Sequence, residues 1–135
     1  KIMKNLNLFF LAVIFLALGA CSSNSNSPEA VAEKFNKAIY TADFNAAKAL
    51  CTDDSKQAVD LIASFVSEKA GDMKKANVKY ETKSVNLSED GNSADVEGVV
   101  LNAYDLQNDK IADSTDTKVH LVKENGKWLV DYKLK

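Results

Sequence analysis

Val119-His120-Leu121-Val122-Lys123-Glu124-Asn125-Gly126-Lys127-Trp128-Leu129-Val130 decides the fold. Asn-Gly between two alternating runs is the strongest short hairpin signal, because both loop residues of a type I′ turn need a positive φ. With Asn125 and Gly126 in the loop, Leu121 stands opposite Val130, Val119 opposite Tyr132, and Lys123 opposite Trp128. Side chains alternate across a strand, so these pairs form one apolar face that must meet the rest of the core. His120 opposite Asp131, and Val122 opposite Leu129, fall on the other face.

The period of two continues upstream. The hairpin strands are expected over 114–124 and 127–134, with residues 105–113 a polar connection. Ala94, Val96, Gly98, Val100, Asn102 and Tyr104 alternate in a strand over 93–105, with Gly98 a bend point. Val78, Tyr80 and Thr82 alternate, and Val85 and Leu87 follow one residue out of phase. That slip predicts a bulge near Ser84 in a strand over 76–87. Glu89-Asp90-Gly91-Asn92 is a turn.

Before residue 71 the period is helical. Ser27-Pro28-Glu29 supplies a hydroxyl cap, a first-turn proline and an acid at the positive end of the dipole. Val31, Phe35, Ala38, Ile39 and Ala42 make an apolar stripe, predicting a helix over 28–41. Asp43 caps a second over 44–51, and Thr52 a third over 53–70, with Leu61, Ile62, Phe65 and Val66 inward and Gly71 as its stop. The expected architecture is α+β: three N-terminal helices packed on a curved four-stranded antiparallel sheet. Its core should hold Val31, Phe35, Ile39, Leu50, Leu61, Ile62, Phe65, Tyr80, Val96, Val100, Val119, Leu121, Val130 and Tyr132.

Ahead of this domain, Lys1 and Lys4 precede the apolar run Leu8–Leu18, and Leu18-Gly19-Ala20-Cys21 closes it. A basic start, a short apolar run and small residues before a cysteine resemble the lipobox of bacterial lipoproteins. Leu8–Cys21 is shorter than the roughly 20 residues a membrane span needs. The expected division is therefore a signal peptide at 1–20, a lipidated Cys21 with a flexible tether at 21–27, and one domain at 28–135. Ser22, rather than an inner-membrane-retaining Asp, points to the outer membrane facing the periplasm. Ser22–Ser27 reaches roughly 15–20 Å when extended.

Composition excludes several roles. The chain carries a formal charge of −2, and loss of Lys1 and Lys4 makes the remainder more acidic. Dispersed acidic charge gives no footprint for nucleic acid. All 17 basic residues are lysine, so no arginine is present to clamp a phosphate or carboxylate in bidentate fashion. With Cys21 lipidated, Cys51 has no intramolecular partner and reads as a small buried hydrophobe. Asp105, Asn108, Asp109, Asp113 and Asp116 crowd one connection, but Lys110 stands where a calcium loop needs glycine. No metal ligand set and no cofactor are expected.

Pro28-Glu29-Ala30-Val31-Ala32-Glu33-Lys34-Phe35, Tyr40-Thr41-Ala42-Asp43-Phe44-Asn45-Ala46-Ala47 and Glu124-Asn125-Gly126-Lys127-Trp128-Leu129-Val130 together resemble the nuclear transport factor 2-like (cystatin-like) superfamily. The likeness is to its small bacterial lipoproteins with a lumazine-binding-like domain of unknown function. The resemblance implies a cone: a curved sheet wrapped around helices, with a cavity between them and dimerisation through the outer face. Enzymes among these relatives, the ketosteroid isomerases and polyketide cyclases, place acid–base residues on the cavity wall. Here the inward set offers Tyr80, Thr82, Asn102, Tyr104, Thr117 and Tyr132, without a carboxylate or imidazole.

Tyr80, Asn102, Tyr104 and Tyr132 are thus the candidate cavity lining, suited to a small amphipathic ligand. His120, Val122, Leu129 and Asp131 are the candidate interaction face, for a second copy or an envelope protein partner. A His120–Asp131 pair has the form of a base with an orienting carboxylate, yet it sits away from the cavity. The expected role is a non-catalytic, lipid-anchored envelope protein, attached to the membrane through its N-terminal lipid and binding a small ligand or protein partner. The alternatives are an acid–base enzyme of the isomerase or cyclase type and a purely structural dimeric module.

Overall fold

A computed structural model describes residues 26–132. The leader, Cys21, most of the tether and residues 133–135 lie outside the described residues, and with them the expected lipidation site and the end of the last strand. Helix α1 spans Pro28–Tyr40, α2 Phe44–Ala49 and α3 Asp53–Phe65. A 3₁₀ turn at Ser67–Lys69 leads into a short α4, Ala70–Lys75. Strands β1 (Lys79–Leu87), β2 (Ser93–Leu101), β5 (Ser114–Glu124) and β6 (Lys127–Val130) form one antiparallel sheet in the order β1-β2-β5-β6. Between β2 and β5, β3 (Tyr104–Asp105) and β4 (Lys110–Ile111) pair as a separate small hairpin.

The cap residues act as their chemistry dictates in two of three places. Ser27 Oγ accepts the Ala30 N–H at 3.2 Å and Asp43 accepts that of Ala46 at 3.3 Å. Thr52 stands at the N-cap of α3 without a side-chain cap bond; its hydroxyl instead shares a 2.7 Å hydrogen bond with Ser55 Oγ. Asn125 and Gly126 have φ of 52° and 80°, as a type I′ turn requires. The register that follows pairs Leu121 with Val130, Val122 with Leu129 and Lys123 with Trp128. Leu121 and Val130 are buried and His120 is exposed, so the apolar face is the one that meets α1. Helix α1 crosses that face and touches all four strands of the sheet. The bulge on β1 falls between Thr82 and Ser84, where Lys83 is the extra residue.

Several expectations need correcting. The third helix stops at Phe65 rather than running to 70, and Gly71 lies inside α4 instead of ending a helix. Ser64 and Ser67 hydroxyls donate to the carbonyls of Leu61 and Ser64, and Val66 turns inward to join Met73 and Ala42 in a second apolar cluster. Leu61 and Phe65, expected in the core, are 46% and 75% exposed. Helix α3 buries Ser55 and Val59 instead, a face rotated from the one its largest side chains suggested. Strand β2 ends at Leu101 because Asn102 adopts a left-handed φ of 62°, and the polar connection folds into the β3–β4 hairpin. Strand β6 ends at Val130, short of 134.

The β6 edge is closed by the link between α2 and α3. Val130 N–H donates to Leu50 O at 2.8 Å and Thr52 N–H donates to Val130 O at 2.9 Å, forming a single parallel bridge at Cys51. This covering removes the unpaired backbone that makes an edge strand prone to association.

Candidate functional site: a pocket between the first helix and the fifth strand

Because β6 stops opposite Leu121, the first half of β5 has no strand neighbour on that side among the described residues. The gap between it and the C-terminal half of α1 is a pocket of about 220 Å³. Helix α1 contributes Phe35, Asn36, Ile39 and Tyr40; β5 contributes Asp116, Thr117, Lys118 and Val119; Tyr132, just beyond β6, supplies the remaining wall. The Tyr132 ring packs on Phe35 at 5.6 Å between centroids, tilted by 51°. Its backbone is held by Ser55 Oγ, which accepts the Tyr132 N–H at 2.8 Å.

The pocket lining combines uncharged side chains with two charged residues. Asp116 and Lys118 are exposed, and along β5 they alternate with Thr117 and Val119. Burial pushes the Tyr40 and Tyr132 hydroxyls above the usual phenol range, Tyr40 helped by its neighbour Tyr132, so both are neutral donors at physiological pH. Asn36 is 4% exposed and donates from Nδ2 to Ala32 O at 3.0 Å.

The sequence-based candidates separate. Tyr132 lines the pocket; Tyr80 is not part of the lining, and its hydroxyl lies beside Thr117, Thr82 and Asn36. Asn102 and Tyr104 do not line it. Asn102 ends β2, its N–H donating to Asp113 O at 3.3 Å, and Tyr104 hydrogen-bonds Asp109 within the small hairpin. Lys69 Nζ reaches the same Asp109 carboxylate at 2.7 Å, holding it below the ordinary carboxylate range and fastening the hairpin to the 3₁₀ turn. Asn36 and Tyr40 escaped the sequence reading. They flank the α1 stripe one position beyond Phe35 and Ile39, and a polar residue at the margin of an apolar stripe is the only sequence signal they give.

On the opposite face His120 pairs with Asp95, Nδ1 to Oδ1 at 2.8 Å, and not with Asp131. Strand β5 lies between β2 and β6, so His120 has two cross-strand neighbours. Asp95 faces it in register, whereas Asp131 lies past the end of β6 and offers only its backbone N–H, donating to His120 O at 2.9 Å. Val122 and Leu129 are half-buried beside them. Cys51 is buried, its Sγ donating to Ala47 O at 3.2 Å, and burial pushes its thiol up to about 11. Among the described residues no group of three His, Cys, Asp or Glu side chains is placed to hold a metal, and no helix is long and apolar enough to cross a membrane.

An inner sheet face wrapped on one long helix, with a pocket beside it, is the nuclear transport factor 2-like arrangement. Among solved structures the chain is similar to an NTF2-like protein from Campylobacter jejuni, provisionally named a transpeptidase, at 25% identity with a TM-score of 0.56. That match covers 79% of this chain and 99% of the other. A function-unknown protein from Mycobacterium tuberculosis is matched at 14% identity and a TM-score of 0.47, over 93% of this chain and 72% of that one. No protein-family model matches the chain, and no curated protein does so significantly.

Proposed function

We propose that this chain is a non-catalytic, lipid-anchored protein of the bacterial envelope that holds a small molecule in the pocket between α1 and β5. The pocket is the observation that carries the reading: a cavity of about 220 Å³ lined mainly by aromatic, aliphatic and amide side chains, with exposed Asp116 and Lys118 beside them. Anchoring rests on Leu18-Gly19-Ala20-Cys21 and the short polar tether behind it, and the outer-membrane, periplasm-facing placement on Ser22. The provisional name of the Campylobacter protein would suggest acyl transfer, which needs an activated nucleophile beside a base. Here Cys51 is buried and protonated, and His120 stands on the far side of the sheet. Both placements support binding over catalysis.

Native mass spectrometry of the protein purified from its own envelope tests the ligand reading, which requires a retained small molecule released on denaturation. A Cys21→Ala chain should move from the membrane to the soluble fraction; one still membrane-bound contradicts the anchor. A second reading, a dimer or envelope partner on the outer face, is favoured by half-buried Val122 and Leu129 standing opposite each other. Sedimentation at rising concentration distinguishes it: a concentration-independent monomer removes the dimer.

A further inference from the structure

The N-terminal chain is tied to one end of the domain. Asn26 Nδ2 donates to Gly126 O at 2.9 Å, and Asn26 Oδ1 accepts the Trp128 N–H at 3.2 Å. One side-chain amide, donor and acceptor at once, thereby holds two backbone groups at the start of β6. Farther along the same strand, Val130 meets Leu50 and Thr52. The fixing continues into α1, since Ser27 is buried and caps that helix. The chain therefore leaves the domain beside the Asn125-Gly126 turn. Lys123 N–H donates to Asn92 O at 2.8 Å, so the β1–β2 turn shares that end.

The pocket is at the other end. Its helix wall is the C-terminal half of α1, and its strand wall is the first half of β5. Tyr40 lies roughly 18 Å along α1 from its first residue. Thr117 lies roughly 23 Å along β5 from the turn. From Cys21 to Asn26 the chain spans at most about 18 Å. A lipid on Cys21 thus keeps the turn end close to the bilayer and leaves the pocket end farther out. Adhesion to anionic lipid, which would lay the domain flat, needs clustered basic residues. At the turn end, exposed Glu89, Asp90 and Glu124 outweigh Lys123 and Lys127, and the whole chain is acidic.

We infer that Asn26 sets the pose of the domain on the membrane: the β5–β6 turn faces the bilayer, and the pocket, at the far end, takes a water-borne ligand rather than a lipid. This rests on the anchoring and ligand-binding readings above and adds the source of the ligand. The test places the full lipidated chain in nanodiscs containing a gadolinium-chelating lipid and reads amide relaxation by NMR. The enhancement at Gly126 and Asn92 should exceed that at Tyr40 and Thr117 by roughly tenfold or more, given the roughly 20 Å between the two ends. Asn26→Ala should reduce that contrast while the amide spectrum stays that of the folded domain. Equal enhancement at the two ends, or a larger one at the pocket, overturns the pose and leaves the anchor standing, because the chain is still on the disc. A chain that stays off the disc with Cys21 unmodified overturns anchor and pose together. Full contrast in Asn26→Ala overturns the role of Asn26. A phospholipid as the molecule retained in native mass spectrometry overturns the aqueous source, whereas an empty pocket overturns the ligand reading itself.

Discussion

Ser55 accepts the backbone N–H of Tyr132 at 2.8 Å, so the first turn of α3 holds the residue that forms one wall of the pocket. Ser55 is fully buried and also shares a hydrogen bond with Thr52 Oγ1. Ser55→Ala strands a part-buried N–H and a buried hydroxyl together, and should cost about 1–3 kcal/mol. Urea unfolding measures it, and the Tyr132 fluorescence environment should change with it.

Gly98 is needed because a neighbour occupies the space of its side chain. A methyl group there would collide with the Tyr80 hydroxyl and lie 2.7 Å from the Glu81 carbonyl. Gly98→Ala should therefore destabilise by about 1–3 kcal/mol. Adding Tyr80→Phe should recover only part of the loss, because the backbone clash with Glu81 persists. Full recovery in a thermal melt would show that the ring alone sets the constraint.

The orientation of α3 is open to a paired comparison. Val59→Ala empties a fully buried position and should cost about 1–3 kcal/mol. Phe65→Ala removes a side chain that is 75% exposed and should change stability by no more than about 0.5 kcal/mol. Equal losses in chemical denaturation would place Phe65 in the core.

Cys51 should be unreactive to a thiol reagent at pH 8 in the folded protein and react on unfolding, because burial raises its thiol from 9.0 to about 11. The raised value favours the folded state fully below pH 9, where the thiol is protonated in both states. That advantage is lost as pH rises towards 11, where the unfolded chain gains from releasing its proton. The stability gap between wild type and Cys51→Ala should consequently narrow between pH 9 and 11.

His120→Ala should leave ligand binding untouched, since its Asp95 partner and its exposed position lie on the face away from the pocket. The half-exposed pair should contribute less than about 1 kcal/mol, screened by salt. A loss of ligand affinity in calorimetry would link the two faces of the sheet.

The sequence by itself determined the features that depend on near neighbours along the chain. Asn125-Gly126 set the hairpin and its register, Ser27 and Asp43 capped their helices, and the phase slip before Val85 marked the bulge at Lys83. Each is a local conformational preference or a period, and both are legible in a linear string. What only the tertiary structure decided was which groups meet across it. The buried face of α3 followed from Ser55 bonding Tyr132, which apolar periodicity does not register. His120 chose Asp95 because β5 lies between two strands and only one of them extends past it. The pocket lies beside β5 where β6 has ended at Val130, and it joins Asn36 and Tyr40 of one helix to Thr117, far along the chain. Long-range pairing of this kind is set by the sum of many packing choices, and no single stretch of residues encodes it.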